Sequence, residues 1–354
     1  MRTKKGIISI LLFIIILPSL SAQTRVRNII FMIGDGMGLS QIQAALTTQG
    51  SLNVLTFPFT GFVSTFSAND YNTDSAAAGT AISTGEKTKN GMLGMSTDTI
   101  PFASIMENAH IMGYATGIVV TCSITHATPA AFYAHQPNRE MGEEIANDLV
   151  NSGFDLFIGG GSKYFNRRSD NKDLTTELKT KGYNIVYEQY SLDSIDSGKV
   201  VALLADDALP KITEGRGEYL SNNTEKAISL LEKKSELGFF LMIEGSQIDW
   251  GGHANDKQYT IDEVIDFDNA VKVALEYAKR DGNTLVIVTA DHETGGMVLL
   301  DGNYQKKEVE IHYATKGHTG IPVPVFAFGP GAEEFTGYFD NTEFKPKIER
   351  LLNF

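Results

Sequence analysis

Cysteine is all but missing from this chain of 354 residues: Cys122 stands alone, so no internal disulfide framework can hold the fold. Basic residues are in deficit, 30 Lys and Arg against 43 Asp and Glu, and the formal net charge of −13 argues against a general nucleic-acid-binding surface. Proline is scarce at 10 residues, and the chain shows neither an internal repeat nor a low-complexity tract. The apolar run at 7–17 is too short to cross a bilayer, which takes about 20 residues. What the chain does have is apolar content. At 42% hydrophobic residues it can build a full core, which excludes disorder, and its length suits one large α/β domain or two modest ones.

The first residues read as an export signal. Arg2, Lys4 and Lys5 precede the apolar run, and Pro18, Ser19, Ser21 and Ala22 follow it, the pattern of a charged head, a greasy middle and a small-residue cleavage site. We expect residues 1–22 to be a signal peptide. Their removal takes away three positive charges and no negative ones, so the mature chain carries −16. A lipid anchor would need a cysteine at the cleavage site, and none is there. The expected product is periplasmic or secreted, without a membrane anchor, and lives without disulfides in an oxidising compartment.

From residue 27 onward, short apolar runs alternate with helix-length amphipathic segments. Residues 28–33 (NIIFMI), 114–121, 200–204, 239–243 and 284–289 (TLVIVT) are rich in Ile and Val, as strands covered on both faces are. Helices are expected at 102–110, 140–150, 224–234 and 261–280. The last carries Ile261, Val264, Ile265, Ala270, Val271, Ala274, Leu275 and Ala278 at near-helical spacing. This alternation predicts an α/β fold with a mostly parallel central sheet and helices on both faces. The polar stretch 166–196 reads as a surface insertion.

In such a sheet, functional groups gather beyond the carboxyl ends of the strands. Asp35 comes two residues after NIIFMI, Glu244 directly follows FFLMI, Asp291 and His292 follow TLVIVTA, and His126 lies just past 114–121. Asp249 and His253, four residues apart in DWGGH, are either two metal ligands aimed at one point or a loop-capping Asp beside an unrelated His. Ser75 opens an Ala-rich run, so Asp74 or Ser75 caps a helix there; the same helix N-terminus would also favour an anion and a deprotonated serine oxygen. GDGMG at 34–38 has the wrong spacing for a dinucleotide loop, and its Asp would repel a pyrophosphate. Its glycines leave room for metals and substrate to approach the backbone. Cys122, ending an apolar strand, reads as a buried small hydrophobe, and His110, His135 and His312 as structural.

GDGMG, TDSAAAGTA, HATPAAFYAH followed by Arg139, EGSQIDWGGH, TADHETGG and KGHTG, in that order over residues 27–331, resemble the alkaline phosphatase family. The resemblance implies one catalytic domain at 23–354 that hydrolyses phosphate monoesters through a phosphoserine intermediate on Ser75. It also implies two zinc sites, one from Asp249, His253 and His318 and one from Asp35, Asp291 and His292. A magnesium site would take Asp35, Thr128 and Glu244, Arg139 would grip the phosphoryl oxygens, and the enzyme would be a homodimer.

Two positions depart from the best-known pattern of that family: His126 stands for an Asp and Trp250 for a Lys, as in other bacterial branches. The third metal site is therefore expected to be weaker or partly filled by zinc. Rival readings are a phosphodiesterase of the same superfamily, against which Arg139 would clash with a second ester group, and a non-catalytic secreted metal- or phosphate-binding protein, which would not need Ser75 and Arg139 together.

Overall fold

A computed structural model describes residues 25–353, so the expected signal peptide lies outside the described residues. The strands, in chain order, are β1 Asn28–Gly34, β2 Phe59–Ser64, β3 Ala115–Ser123, β4 Leu156–Gly160, β5 Tyr183–Val186, β6 Lys199–Leu203, β7 Phe239–Gly245, β8 Thr284–Thr289, β9 Glu293–Thr294, β10 Met297–Asn303, β11 Glu308–Tyr313, β12 His318–Thr319, β13 Val323–Phe328 and β14 Gly337–Asp340. Ten of them form one sheet in the order β14-β2-β13-β8-β1-β7-β3-β4-β6-β5. Only β13 runs antiparallel to its neighbours β2 and β8. Every residue of β1, β3, β4, β7 and β8 is buried, which is why these strands read as continuous apolar runs without alternation.

Two helical layers cover the sheet. Helices Leu39–Gln49, Tyr219–Leu231 and Lys257–Asp281 pack on one another in one layer, and Ser75–Thr84, Ile105–Ile111 and Phe344–Leu352 in the other. Phe31 of β1 anchors the second layer, its ring meeting Phe344 edge-on at 5.2 Å. The stretch 166–196 is more than a surface insertion. It contributes the edge strand β5, and its Leu178, Tyr183 and Leu192 are buried in the main core. Its polarity hides this because β5 is only four residues long and half-exposed. Among the described residues no helix is long and apolar enough to cross a membrane.

Parallel register aligns the strand ends that matter. Ile33 of β1 sits opposite both Glu244 of β7 and Thr289 of β8, and Val120 of β3 lies on the other side of Glu244. Asp35, Glu244 and Asp291 therefore leave the sheet side by side at its carboxyl edge.

His135, expected to be structural, clamps the connection between two helices. Its Nε2 lies 2.9 Å from Glu107 Oε1 and its Nδ1 2.9 Å from the Gly94 carbonyl, and both partners only accept, so the ring serves both as imidazolium. Burial pulls its pKa down, but Glu107, the Gly94 carbonyl and nearby Asp148 outweigh this and raise it above the ordinary 6.5. The stabilisation is complete below 6.5 and is lost as pH rises through the raised value. His135→Gln should therefore lower the melting midpoint more at pH 6 than at pH 9. A deficit that stays constant across that range would refute the imidazolium assignment.

Candidate active site

The helix Ser75–Thr84 begins because Asp74, in extended conformation, caps it: Ala77 N–H donates to Asp74 Oδ1 at 2.9 Å. That settles the choice between the two residues and leaves the Ser75 hydroxyl free at the N-terminus. All ten residues of the helix are buried. It lies close on the short helix Ala127–Ala130; a Cβ at Gly79 would come within 2.9 Å of the Ala131 Cβ. The other oxygen of Asp74 holds Arg139, whose Nη1 donates to Oδ2 at 3.1 Å, and also accepts from Gly91 N–H at 2.9 Å. Asp74 thus fixes the guanidinium against the same helix end that presents Ser75. The sequence marked Asp74 only as a cap; its position next to the serine was the available signal for more.

Ser75 Oγ lies 3.2 Å from His292 Nε2. The same nitrogen is 3.5 Å from Asp35 Oδ1 and 3.3 Å from Asp291 Oδ2. The tautomer follows from the partners. Thr294 gives its hydroxyl proton to Asp249 Oδ1, so it accepts from His292 Nδ1–H, 3.2 Å away. The Nε2 lone pair is then free and aimed at the oxygens. Burial keeps this ring neutral, well below the usual histidine pKa.

The turn carrying Asp35 shows where the room made by glycine goes. Gly36 has φ +71°, and a Cβ there would sit 2.7 Å from Thr294 Oγ1 and 2.9 Å from Asp249 Cα. The space left by this glycine is taken by Thr294 and Asp249, not held open for substrate. Gly36 N–H and His292 N–H both donate to Asp291 Oδ1, at 3.1 and 3.0 Å, which turns Oδ2 toward Asp35 and His292.

A second group forms at the helix Gln247–Ala254, which places Asp249 and His253 one turn apart. His253 Nδ1 faces the Lys316 carbonyl at 2.5 Å and His318 Nδ1 faces the Thr73 carbonyl at 2.7 Å, so both rings are donors on that side. Their Nε2 atoms meet at 3.1 Å, with Asp249 Oδ2 3.3 Å from one and Oδ1 3.5 Å from the other. Two lone pairs and a carboxylate facing one another require a positive charge between them. Donation to the Asp249 carboxylate pushes the His253 imidazole up to about 9, the same demand expressed as a proton.

Glu244 marks a third point. Its Oε2 accepts from Ser246 Oγ at 2.6 Å, while Oε1 has no hydrogen-bond partner among the described residues. The same is true of both Asp35 oxygens, Asp291 Oδ2 and Thr128 Oγ1, all buried. Burial pushes Asp35 well above the usual carboxylate range, with the charges of Asp291, Asp249 and Glu244 adding to it, and burial pushes Glu244 up to about 7. Unpartnered buried carboxylate oxygens at this density are the mark of a cation site. Three sets have donor atoms within 4.8 Å of one another: Asp249, His253 and His318; Asp35, Asp249 and His292; and Cys122, His126 and Glu244. Asp249 belongs to two of these sets, whereas the sequence placed it in one. His126 packs edge-on against Trp250, ring centroids 6.1 Å apart, and its Nε2 lies 3.4 Å from Arg139 Nη2. The residues the sequence nominated for catalysis and metal binding are thus linked around one centre, whereas His110 and His135 lie elsewhere. Thr294 and the carbonyls of Thr73 and Lys316, which orient the site histidines, were not legible in the sequence.

In sequence and fold the chain is similar to known proteins. The family model for alkaline phosphatase matches residues 26–307. Alkaline phosphatase 4 of Bacillus subtilis is 35% identical, with 93% of this chain and 89% of that protein covered. The Escherichia coli alkaline phosphatase is 33% identical, covering 90% of this chain and 84% of its own. The solved alkaline phosphatase of the Antarctic bacterium TAB5 superposes with a TM-score of 0.88 at 44% identity over 94% of this chain and 99% of its own, and a histidine-to-glutamate variant of it has magnesium bound in its M3 site. With its fold, its six motifs and these relatives in agreement, the chain belongs to the alkaline phosphatase family.

Proposed function

We propose that this protein hydrolyses phosphate monoesters to an alcohol and inorganic phosphate, with Ser75 as the nucleophile. One observation carries the reading: a serine hydroxyl at a buried helix N-terminus, 3.2 Å from a neutral imidazole, with Arg139 held to the same helix end by Asp74. A binding protein needs the metal donors but not this pairing.

In the proposed reaction Ser75 Oγ forms a bond to phosphorus as the bond to the ester oxygen breaks, giving phosphoserine and the alcohol. Water then attacks phosphorus and Ser75 Oγ departs, releasing phosphate with net retention. Arg139, held by Asp74 through Nη1, presents its guanidinium to the non-bridging oxygens. The helix N-terminus adds positive potential where charge builds on the transferring group.

Two zinc ions would be held by Asp249, His253 and His318 and by Asp35, Asp291 and His292. A third ion, magnesium or zinc, would be held at Glu244, Thr128 and Asp35. When bound, such cations lower the pKa of the attacking oxygen and neutralise the leaving one. We read the mature enzyme as residues 23–354, exported from the cytoplasm and working as a homodimer.

Hydrolysis of p-nitrophenyl phosphate at alkaline pH tests this. Activity should vanish with a chelator and return with zinc, and the bis(p-nitrophenyl) diester should be a poor substrate. Turnover of the diester alone would move the protein to a neighbouring branch, and turnover of neither would sink the reading. Arg139→Ala should lower kcat/KM for the monoester about 10- to 100-fold, the worth of one or two charged hydrogen bonds.

A further inference from the structure

Cys122 is buried in the core, as its strand suggested, but its thiol also meets a carboxylate. Its Sγ lies 3.3 Å from Glu244 Oε2, and Sγ, a Glu244 oxygen and a His126 ring nitrogen lie within 4.8 Å of one another. Cys122 and Glu244 are fully buried. Around them Glu244 Oε1, Thr128 Oγ1 and His126 Nδ1 have no hydrogen-bond partner among the described residues. Sulfur, nitrogen and oxygen donors therefore share a pocket with unused bonding capacity.

We propose that Cys122 is a ligand of the third metal ion, with His126 and Glu244, and that this sulfur makes the site select zinc over magnesium. The inference rests on the metal-dependent reading above and extends it to the identity of one ion. Magnesium demands six oxygen-type ligands in near-octahedral geometry and has little affinity for sulfur. Zinc accepts a thiolate, an imidazole and a carboxylate together at four-coordinate sites. On coordination the Cys122 S–H proton leaves to solvent and the sulfur lone pair bonds the metal, with no change of oxidation state. The added negative charge beside Glu244 would be offset by the dication, and Cys122 stands near the end of β3, on the strand next to that of Glu244. His126 and Cys122 thus act together: the imidazole replaces one hard donor and the thiolate supplies a soft one.

Because Cys122 is the chain's only cysteine, a sulfur signal on the metal reports this residue alone. The full mature chain, stripped with chelator and refilled with cobalt(II) chloride, should show a near-ultraviolet thiolate-to-cobalt charge-transfer band that is lost in Cys122→Ala. Refilled with zinc and desalted into excess magnesium, wild type should keep three zinc ions per chain and Cys122→Ala two zinc and one magnesium. Absence of the band from wild type at saturating cobalt, or equal exchange of the third ion in both proteins, would overturn the proposal. Should Cys122→Ala lack a native circular dichroism spectrum, zinc-edge X-ray absorption of wild type decides instead. A sulfur scatterer at about 2.3 Å supports the site, and nitrogen and oxygen alone refute it. Hydrolysis of p-nitrophenyl phosphate by the same samples separates the two claims. A band without turnover removes the phosphatase reading and keeps the Cys122 site, and turnover without a band does the reverse.

Discussion

Ser75→Ala should turn over p-nitrophenyl phosphate on the order of 10³-fold more slowly than wild type, or worse, while keeping its full complement of metal. The hydroxyl is the only proposed nucleophile, and it lies 3.2 Å from His292 Nε2 at the end of a buried helix. The substitution removes that oxygen without touching a proposed metal ligand. Its fold should survive, because Ala suits the first turn of an Ala-rich helix and Asp74, the cap, is untouched. Metal content by mass spectrometry, melting midpoint and kcat should be read on one preparation. A variant with bound metal, an unchanged melting midpoint and more than about a tenth of wild-type kcat would exclude Ser75 as nucleophile.

Removing the metals should cost more stability than any side-chain change, and Asp35→Asn should then reverse its own sign. Asp35 is fully buried, neither of its oxygens has a partner among the described residues, and Asp291, Asp249 and Glu244 all bear on it. Without cations these carboxylates repel one another in a dry crevice. An ion present at 1,000 times its dissociation constant stabilises by about 4 kcal/mol, so losing two or more should lower the melting midpoint by roughly 10 °C or beyond. With metal bound, Asp35→Asn removes a ligand, lowering the midpoint and abolishing most activity. In chelator the same change removes a buried like charge and should raise the midpoint by a few degrees. Scanning calorimetry of both proteins in both states gives four midpoints. A chelated wild type as stable as the loaded one would mean that this centre does not depend on metal.

The central sheet was legible because its strands are buried on both faces and so carry an uninterrupted apolar signal. The runs at 28–33, 114–121, 200–204, 239–243 and 284–289 correspond to β1, β3, β6, β7 and β8. The remaining strands gave weaker signals, the short but fully buried interior strand β4 (LFIGG) among them. β2 (FTGFVS) alternates buried and exposed residues, β13 (VPVFAF) carries a proline, and β5 is four residues long. The helix Lys257–Asp281 was found to within a few residues by its apolar spacing, and its unseen first turn comes from the Asp256 cap, which accepts from Tyr259 N–H at 3.1 Å. In the site, side chains with intrinsic chemistry stood out, because acids and histidines after apolar strands are conspicuous. The groups that aim them did not: a backbone carbonyl at Thr73 or Lys316 looks like any other until the fold brings it to an imidazole. Cys122 is the buried core residue its strand suggested, but its contact with Glu244 was hidden for the same reason, since Glu244 is on the neighbouring strand.

The centre draws on distant parts of the chain. Asp35 follows the first strand, whereas His318 sits beyond the hairpin of β10 and β11 and reaches back to the Thr73 carbonyl. The donors Asp249, His253 and His318 all come from the second half of the chain, the last of them late in it, and the Thr73 carbonyl that orients His318 comes from the first half. A growing or emerging polypeptide therefore has nothing with which to hold a dication tightly until almost all of it has been delivered and the β8-β1-β7-β3 pairing has closed. On the proposed metal reading, ion capture is the final stitch of this fold, not its seed. That is the opposite order from a zinc finger, where the metal organises a chain too small to fold alone.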